Sequence, residues 1–70
     1  MIKYDVKGKM KLVEQLELYR LENKLSQQEL AKQLNVPLIT VHRWLNYKKL
    51  PNKIHTYHIE KFLKEKKVIK

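Results

Sequence analysis

Cysteine is absent from this 70-residue chain, glycine occurs once and proline twice. The lack of cysteine excludes disulfide bonds and thiolate metal sites together. No long apolar run is present, whereas a helix needs about 20 apolar residues to cross a bilayer. The N-terminus also lacks the apolar segment of a secretory signal. We therefore expect a soluble, cytoplasmic protein with one domain, a small core and no membrane association.

Acidic residues are scarce as well. Seven Asp and Glu stand against 16 Lys and Arg, and the net charge is +9. The excess is uneven, because residues 1–35 carry seven basic and five acidic side chains while residues 36–70 carry nine and two. A strongly basic surface is typical of proteins that bind a polyanion. We expect the binding face in the second half of the chain, apart from a lysine-rich tail over residues 66–70 that is equally typical of a solubilising end.

The chain carries no recognisable catalytic or cofactor-binding pattern. Its three histidines have no nearby cysteine or carboxylate pair arranged as nucleophile and base, and no glycine-rich phosphate loop is present. His55 and His58 lie three residues apart and could share a metal ion, but no third ligand accompanies them. We expect no enzymatic activity, no cofactor and no metal site.

The pattern of apolar residues predicts a short head followed by helices. In the head, Ile2, Tyr4 and Val6 alternate with charged residues up to Gly8, which is the period of a short strand. We expect residues 1–9 to form an N-terminal arm or short strand. The spacing then becomes helical from about Met10 to Asn23, with one apolar stripe of Leu12, Val13, Leu16, Tyr19 and Leu21.

A second helix is predicted to begin after Ser26, which stands three residues before Glu29 as in a capping box. Asn35 is expected to end this helix in a left-handed conformation, which Asn tolerates better than most residues. Pro37 then favours the start of a third helix, which runs to about Asn46. Its inner side is marked by Val41, Trp44 and Leu45.

Asn52 is a plausible cap for a final helix that runs to about Glu65, with apolar residues Ile54, Tyr57, Ile59, Phe62 and Leu63. The fold class predicted is therefore all-α, a compact bundle of four to five short helices over residues 10–65, with or without the N-terminal strand.

Two of these helices are joined by a three-residue turn at Asn35, Val36 and Pro37, with small Ala31 where they approach. Such a pair has the geometry of a helix-turn-helix, which offers its second helix to the DNA major groove.

The run from Leu25 to Pro51 resembles the Cro and phage-repressor type of helix-turn-helix family, often called XRE-like. The resemblance extends back through Leu16, Tyr19 and Arg20 and forward to about Leu63. Five positions at fixed spacing make it fairly specific: Gln27, Ala31, Val41, Trp44 and Asn46.

The resemblance implies roles for individual residues. Gln27 matches a glutamine that contacts a phosphate and braces the recognition helix, and Gln28 lies beside it. The positions that face the groove are matched by Leu38, Ile39, His42 and Arg43, and the positions nearer the DNA backbone by Thr40 and Asn46. The loop after the recognition helix is matched by Tyr47, Lys48 and Lys49, where backbone N–H groups and basic side chains meet phosphates in the family.

The chemistry of these residues agrees with such roles. Positions 38, 39, 42, 43 and 46 share the helix surface opposite Val41 and Trp44, so they are expected to face solvent. Leu38 and Ile39 suit thymine methyl groups, and Arg43 can pair with guanine O6 and N7. Different contacts are open to the same side chains, since Leu38 and Ile39 could pack on the final helix or at a dimer contact, and Arg43 could bind only phosphate. His42 suits a base edge or a phosphate equally well.

Several positions depart from the family pattern. Pro37 replaces a small hydroxyl residue, Asn35 and Tyr47 stand where glycine is common, and Leu45 replaces a frequent glutamate that pairs with the arginine matching Arg20. Arg20 therefore needs another partner, and Glu29 is a candidate. A winged module of the excisionase or MerR type also matches Arg43-Trp44-Leu45, but in that type a strand would follow Pro51, where this sequence predicts a helix.

The leading hypothesis is a small prokaryotic or phage transcriptional regulator, a repressor, that binds double-stranded DNA through residues 38–46. One such module reads few base pairs, so we expect a homodimer on a palindromic operator with half-sites about 10 bp apart. The alternative is an antitoxin-like or excisionase-like DNA-associated protein whose main role is to bind a protein partner.

Overall fold

The computed structural model describes residues 5–67 and contains four helices over that range. They are α1 (Val6–Glu22), α2 (Gln27–Leu34), α3 (Leu38–Leu45) and α4 (Lys53–Glu65). The all-α helix-turn-helix bundle predicted from the sequence is confirmed. The helix after Pro51 also decides against the winged alternative, which would need a strand there.

The start of α1 differs from the prediction. The helix begins at Val6 rather than Met10, because Asp5 caps it and its Oδ1 accepts a hydrogen bond from the N–H of Gly8 at 2.8 Å. The expected strand is therefore wrong at Val6 and Gly8, which lie in the first turn of α1, while residues 1–4 of that prediction lie outside the described part of the chain. The alternation of apolar and charged residues was too short to outweigh the Asp5 cap.

One apolar core lies where the four helices meet. Helix α2 packs on α3, α1 packs on α4, and α1 also contacts α3. Tyr19 of α1 and Phe62 of α4 meet edge to face with ring centroids 5.2 Å apart, and the Tyr19 hydroxyl donates to Oε1 of Gln33 in α2 at 3.2 Å. The buried core residues are Leu12, Val13, Leu16, Leu30, Ala31, Val41, Trp44, Ile59 and Leu63.

Three residues predicted on apolar stripes are instead mostly exposed. Leu21 lies on the outer side of α1, and Ile54 and Tyr57 lie on the outer side of α4. Helical spacing alone could not separate them from the core, because each falls at the edge of an apolar stripe. Leu45 is half-buried at the edge of the core, whereas Trp44 is buried as predicted.

The caps predicted for α2 and α4 are confirmed. Ser26 Oγ accepts from the N–H of Glu29 at 3.0 Å, and Glu29 Oε1 accepts from the N–H of Ser26 at 2.9 Å, which completes the capping box. Asn52 Oδ1 accepts from the N–H of His55 at 2.8 Å. Pro37 has no side-chain acceptor and occupies the cap position before α3, with Leu38 as the first helical residue.

Each of the four helices is followed by a non-glycine residue with positive φ. Lys24, Asn35, Tyr47 and Lys67 have φ between 54° and 60°. This left-handed conformation turns the next N–H back onto the helix: Val36 donates to the Ala31 carbonyl at 3.0 Å, and Lys48 donates to the Arg43 carbonyl at 2.9 Å. The only glycine, Gly8, lies inside α1, so these turns form without the residue that adopts them most easily.

Candidate nucleic-acid interface

Helices α2 and α3 pack against each other and are joined by a tight turn. Asn35, with φ of 59°, ends α2, and Pro37 in an extended conformation directs the chain into α3. Leu30 and Ala31 of α2 and Val41 and Trp44 of α3 are all buried in the shared core. The direction of α3 is therefore set by packing rather than by the loop alone.

Apolar and basic side chains share the outer face of α3. Leu38 is 46% exposed and Ile39 53% exposed, and His42 and Arg43 are exposed on the same helix. Isolated exposed apolar residues are common, but two adjacent ones at the start of a helix beside an arginine make a surface suited to a groove that carries methyl groups. The prediction that Leu38 and Ile39 face solvent is confirmed, while their contact with DNA stays a prediction.

Gln27, His42 and Asn46 form a small polar cluster that joins α2 to α3. Oε1 of Gln27, the first residue of α2, lies 3.1 Å from Nδ1 of His42. Asn46 Nδ2 donates to the His42 carbonyl at 2.7 Å and also lies 3.3 Å from His42 Nδ1. The expectation that Gln27 braces the recognition helix therefore has a specific contact, and its partner is His42.

The remaining predicted interface residues differ in what they offer a ligand. Gln28 is exposed at the start of α2, whereas Thr40 is half-buried on α3. The N–H groups of Gln27 and Gln28 have no acceptor within residues 5–67, since the capping box satisfies those of Ser26 and Glu29. This helix start can therefore donate two hydrogen bonds to an anion.

The loop after α3 departs from what the resemblance implies. The N–H of Tyr47 donates to the Trp44 carbonyl at 3.0 Å, and the N–H groups of Lys48 and Lys49 donate to the Arg43 carbonyl at 2.9 and 3.4 Å. The left-handed conformation of Tyr47 allows these hydrogen bonds within the chain. The three backbone N–H groups are therefore not available to a phosphate. Only the exposed side chains of this segment remain for phosphates.

The basic side chains of the interface form no salt bridge with a carboxylate in residues 5–67. Within residues 5–67 the salt bridges are Arg20 with Glu17 and Lys64 with Glu60. The charges of Arg43, Lys48 and Lys49 are therefore not neutralised by a neighbouring acid in this part of the chain. An uncompensated positive cluster attracts a polyanion at long range.

The expected pairing of Arg20 with Glu29 is wrong. Arg20 Nε donates to Glu17 one turn earlier, and its Nη1 donates to the Leu25 carbonyl at 2.9 Å. Glu29 is held instead by Ser26, and the hydrogen bond from the Ser26 backbone N–H lowers the pKa of the Glu29 carboxyl below its usual value. Arg20 thus secures the turn between α1 and α2 and does not reach α2 itself.

The other two histidines each pack against an aromatic ring. The His55 ring lies against Trp44 with centroids 5.2 Å apart, and the His58 ring lies 5.7 Å from that of Tyr57. No group of three metal-ligating side chains is found in the described part of the chain. No helix within residues 5–67 is both long and apolar enough to cross a membrane.

His42 as the partner of Gln27 is the part of the site that sequence reasoning missed, since the resemblance implied only that Gln27 braces the recognition helix. Gln27 and His42 are 15 residues apart, and no spacing rule links the first residue of one helix to the middle of the next. The contact depends on the angle between α2 and α3, which is set by core packing.

Comparison with known proteins agrees with this geometry. The sequence profile of a family described as helix-turn-helix matches residues 16–66. The matched range begins within α1, contains α2, the turn and α3, and ends just beyond α4. No curated protein and no solved structure matches the chain.

Proposed function

Because the chain belongs to the Cro and repressor type (XRE-like) of helix-turn-helix DNA-binding family, we propose that it is a transcriptional repressor that reads the major groove with α3. The observation that carries this proposal is the outer face of α3, where Leu38, Ile39, His42 and Arg43 are exposed together. A protein of this kind acts by occupancy, since an operator that overlaps a promoter excludes polymerase.

Base readout and phosphate binding fall to different residues in this proposal. Leu38 and Ile39 contact thymine methyl groups, and Arg43 pairs with guanine O6 and N7. The two free N–H groups at the start of α2 and the side chains of Lys48 and Lys49 bind phosphates and set the position of α3 on the duplex. Phosphate contacts supply affinity without sequence information, so specificity depends on α3.

A homodimer on a palindromic operator completes the proposal. One α3 spans few base pairs, whereas two copies on half-sites about 10 bp apart double the sequence that is read. Ile54 and Tyr57 support this step because they lie one turn apart on the outer side of α4 and are both mostly exposed. The same apolar surface would serve a protein partner in the antitoxin-like or excisionase-like alternative.

Selection of bound duplexes from a random DNA pool at near-physiological salt tests the proposal, because charge attraction is then weakened while base readout survives. An enriched palindrome with half-sites one helical turn apart is the expected result. Salt-sensitive binding without any enriched motif would contradict sequence-specific repression. No binding at all would favour the role as a partner of another protein.

The variant Arg43→Ala tests whether Arg43 contributes to base discrimination or only to non-specific attraction of DNA. If Arg43 pairs with a guanine, the variant should lose about 1–3 kcal/mol of discrimination at one base pair of each half-site, and binding to random duplexes should fall less. Lys53→Ala is the matched control, since it removes one exposed positive charge at the first residue of α4. Equal losses on selected and random duplexes would mean that Arg43 only holds the phosphate backbone.

A further inference from the structure

The contact between Gln27 and His42 constrains the hydrogen on the imidazole ring. A neutral imidazole carries one hydrogen, on either Nδ1 or Nε2, and its other nitrogen is an acceptor. The Gln27 atom at 3.1 Å from Nδ1 is Oε1, which can only accept. A hydrogen bond between them therefore requires the hydrogen on Nδ1.

Asn46 is the only other group that competes for Nδ1 within residues 5–67. Its Nδ2 lies 3.3 Å from Nδ1 and would need a lone pair there. The same Nδ2 already donates to the His42 carbonyl at 2.7 Å, a much shorter contact. One of the two hydrogens of Asn46 Nδ2 is thus used without Nδ1, and the other can meet solvent because Asn46 is exposed. Gln27 Oε1, by contrast, has no other donor within residues 5–67.

The second ring nitrogen, Nε2, lies at the opposite edge of the ring. Nε2 of His42 has no hydrogen-bond partner within residues 5–67, and the side chain is exposed beside Arg43 on the outer face of α3. With the hydrogen on Nδ1, Nε2 carries a lone pair. In the major groove the donors that can meet it are the N4 amino group of cytosine and the N6 amino group of adenine.

We propose that Gln27 holds His42 in the Nδ1–H tautomer, so that His42 Nε2 reads a base with an exocyclic amino group in the major groove, cytosine or adenine. This inference rests on the proposed function, since it assigns the base class that one residue of α3 selects. Guanine and thymine are disfavoured at that position because they present the acceptors O6, N7 and O4 to an acceptor. In this tautomer His42 accepts a hydrogen bond from a base, whereas Arg43 donates hydrogen bonds to one.

The tautomer can be measured in the free protein, independently of DNA. Long-range ¹H–¹⁵N correlation spectra at pH 8.5 distinguish a protonated from an unprotonated ring nitrogen in each of the three histidines. His42 should show the hydrogen on Nδ1, whereas exposed His58, which makes no hydrogen bond within residues 5–67, should favour Nε2–H as free histidine does. An Nε2–H tautomer at His42 would overturn the inference, whatever the protein binds.

Gln27→Met removes the acceptor and keeps the length of the side chain. In this variant the hydrogen of His42 should move to Nε2. Gln28→Met, at the next and exposed position of α2, should leave the hydrogen on Nδ1. If His42 keeps the Nδ1–H form in Gln27→Met, Gln27 does not hold it and the inference fails. Amide dispersion in the same spectra shows that each variant is folded.

Selection from a random DNA pool at pH 8.5 tests the readout. Wild type should prefer cytosine or adenine over guanine by about two- to tenfold at one position of the half-site, the range of one hydrogen bond. His42→Ala should lose the preference at that position, and Gln27→Met should lose or reverse it while the rest of the motif persists. A motif that is unchanged in both variants would overturn the inference and leave the proposed function standing, whereas the absence of any wild-type motif would overturn the proposed function itself.

Discussion

The positive φ of Tyr47 allows a direct test of how this glycine-poor chain ends its helices. Tyr47 follows α3 with φ of 55°, a conformation that costs an L-residue with a Cβ about 1–2 kcal/mol. Glycine avoids this cost, but it lowers the stability of the fold by about 0.5–1 kcal/mol because it gives the unfolded chain more conformational freedom. The balance favours glycine over alanine at this position by about 1 kcal/mol.

The comparison must be made between two variants, because Tyr47 also contributes its ring. Its side chain is 49% exposed, so replacement loses some apolar burial along with the backbone strain. That loss is shared by Tyr47→Ala and Tyr47→Gly, and it cancels when the two are compared. For a domain of this size a difference of about 1 kcal/mol corresponds to about 4–8 °C in Tm.

Urea denaturation and thermal melting of the two variants provide the assay, and Lys61 in the interior of α4 provides the control. There the backbone is helical and the side chain exposed, so Lys61→Gly should be less stable than Lys61→Ala by about 1 kcal/mol. The sign of the difference between glycine and alanine is thus expected to reverse between the two sites. A Tyr47→Ala variant as stable as Tyr47→Gly would refute the reasoning.

Three further predictions concern the capping box and the loop after α3. Ser26→Ala should lower the free energy of unfolding by about 1 kcal/mol, because the N–H of Glu29 loses its acceptor; an unchanged urea midpoint would contradict this. The lowered pKa of the Glu29 carboxyl means that its ionised form stabilises the fold fully above the usual value near 4.5, and that this contribution disappears as the pH falls through the lower folded value. Glu29→Gln should therefore show a smaller loss of Tm than wild type between pH 6 and pH 3, and parallel curves would count against the carboxylate. Lys48→Ala should weaken binding to all duplexes alike and reduce the slope of log affinity against log salt concentration by about one, while an unchanged slope would remove Lys48 from the phosphate contacts.

The interior of the fold was predictable where local rules act alone. The capping box at Ser26, the left-handed Asn35 and the cap at Asn52 were each indicated by a residue type at a fixed offset from a helix. Burial of Val41 and Trp44 followed from helical spacing. These features depend on neighbours within about one helical turn, so sequence spacing is sufficient to find them.

Some errors occurred where two local patterns competed or where an apolar stripe was wider than the core. At the N-terminus, the alternation of Ile2, Tyr4 and Val6 suggested a strand, but the cap at Asp5 starts a helix at Val6. On the outer sides of α1 and α4, Leu21 and Tyr57 lie at the edge of apolar stripes and remain exposed. An apolar stripe shows which side of a helix faces the core. How much of that stripe is buried depends on how the neighbouring helix packs against it.

The sequence by itself determined the class of the protein: a small, basic, cysteine-free bundle of helices with a helix-turn-helix built around a three-residue turn. Periodicity, capping and charge are properties of residues close together in the sequence, so they can be assigned without knowing the fold. The tertiary structure alone decided that Gln27 of α2 meets His42 of α3 across 15 residues. Such contacts depend on the angle at which packed helices cross, which is a property of the whole core and leaves no mark at a fixed spacing.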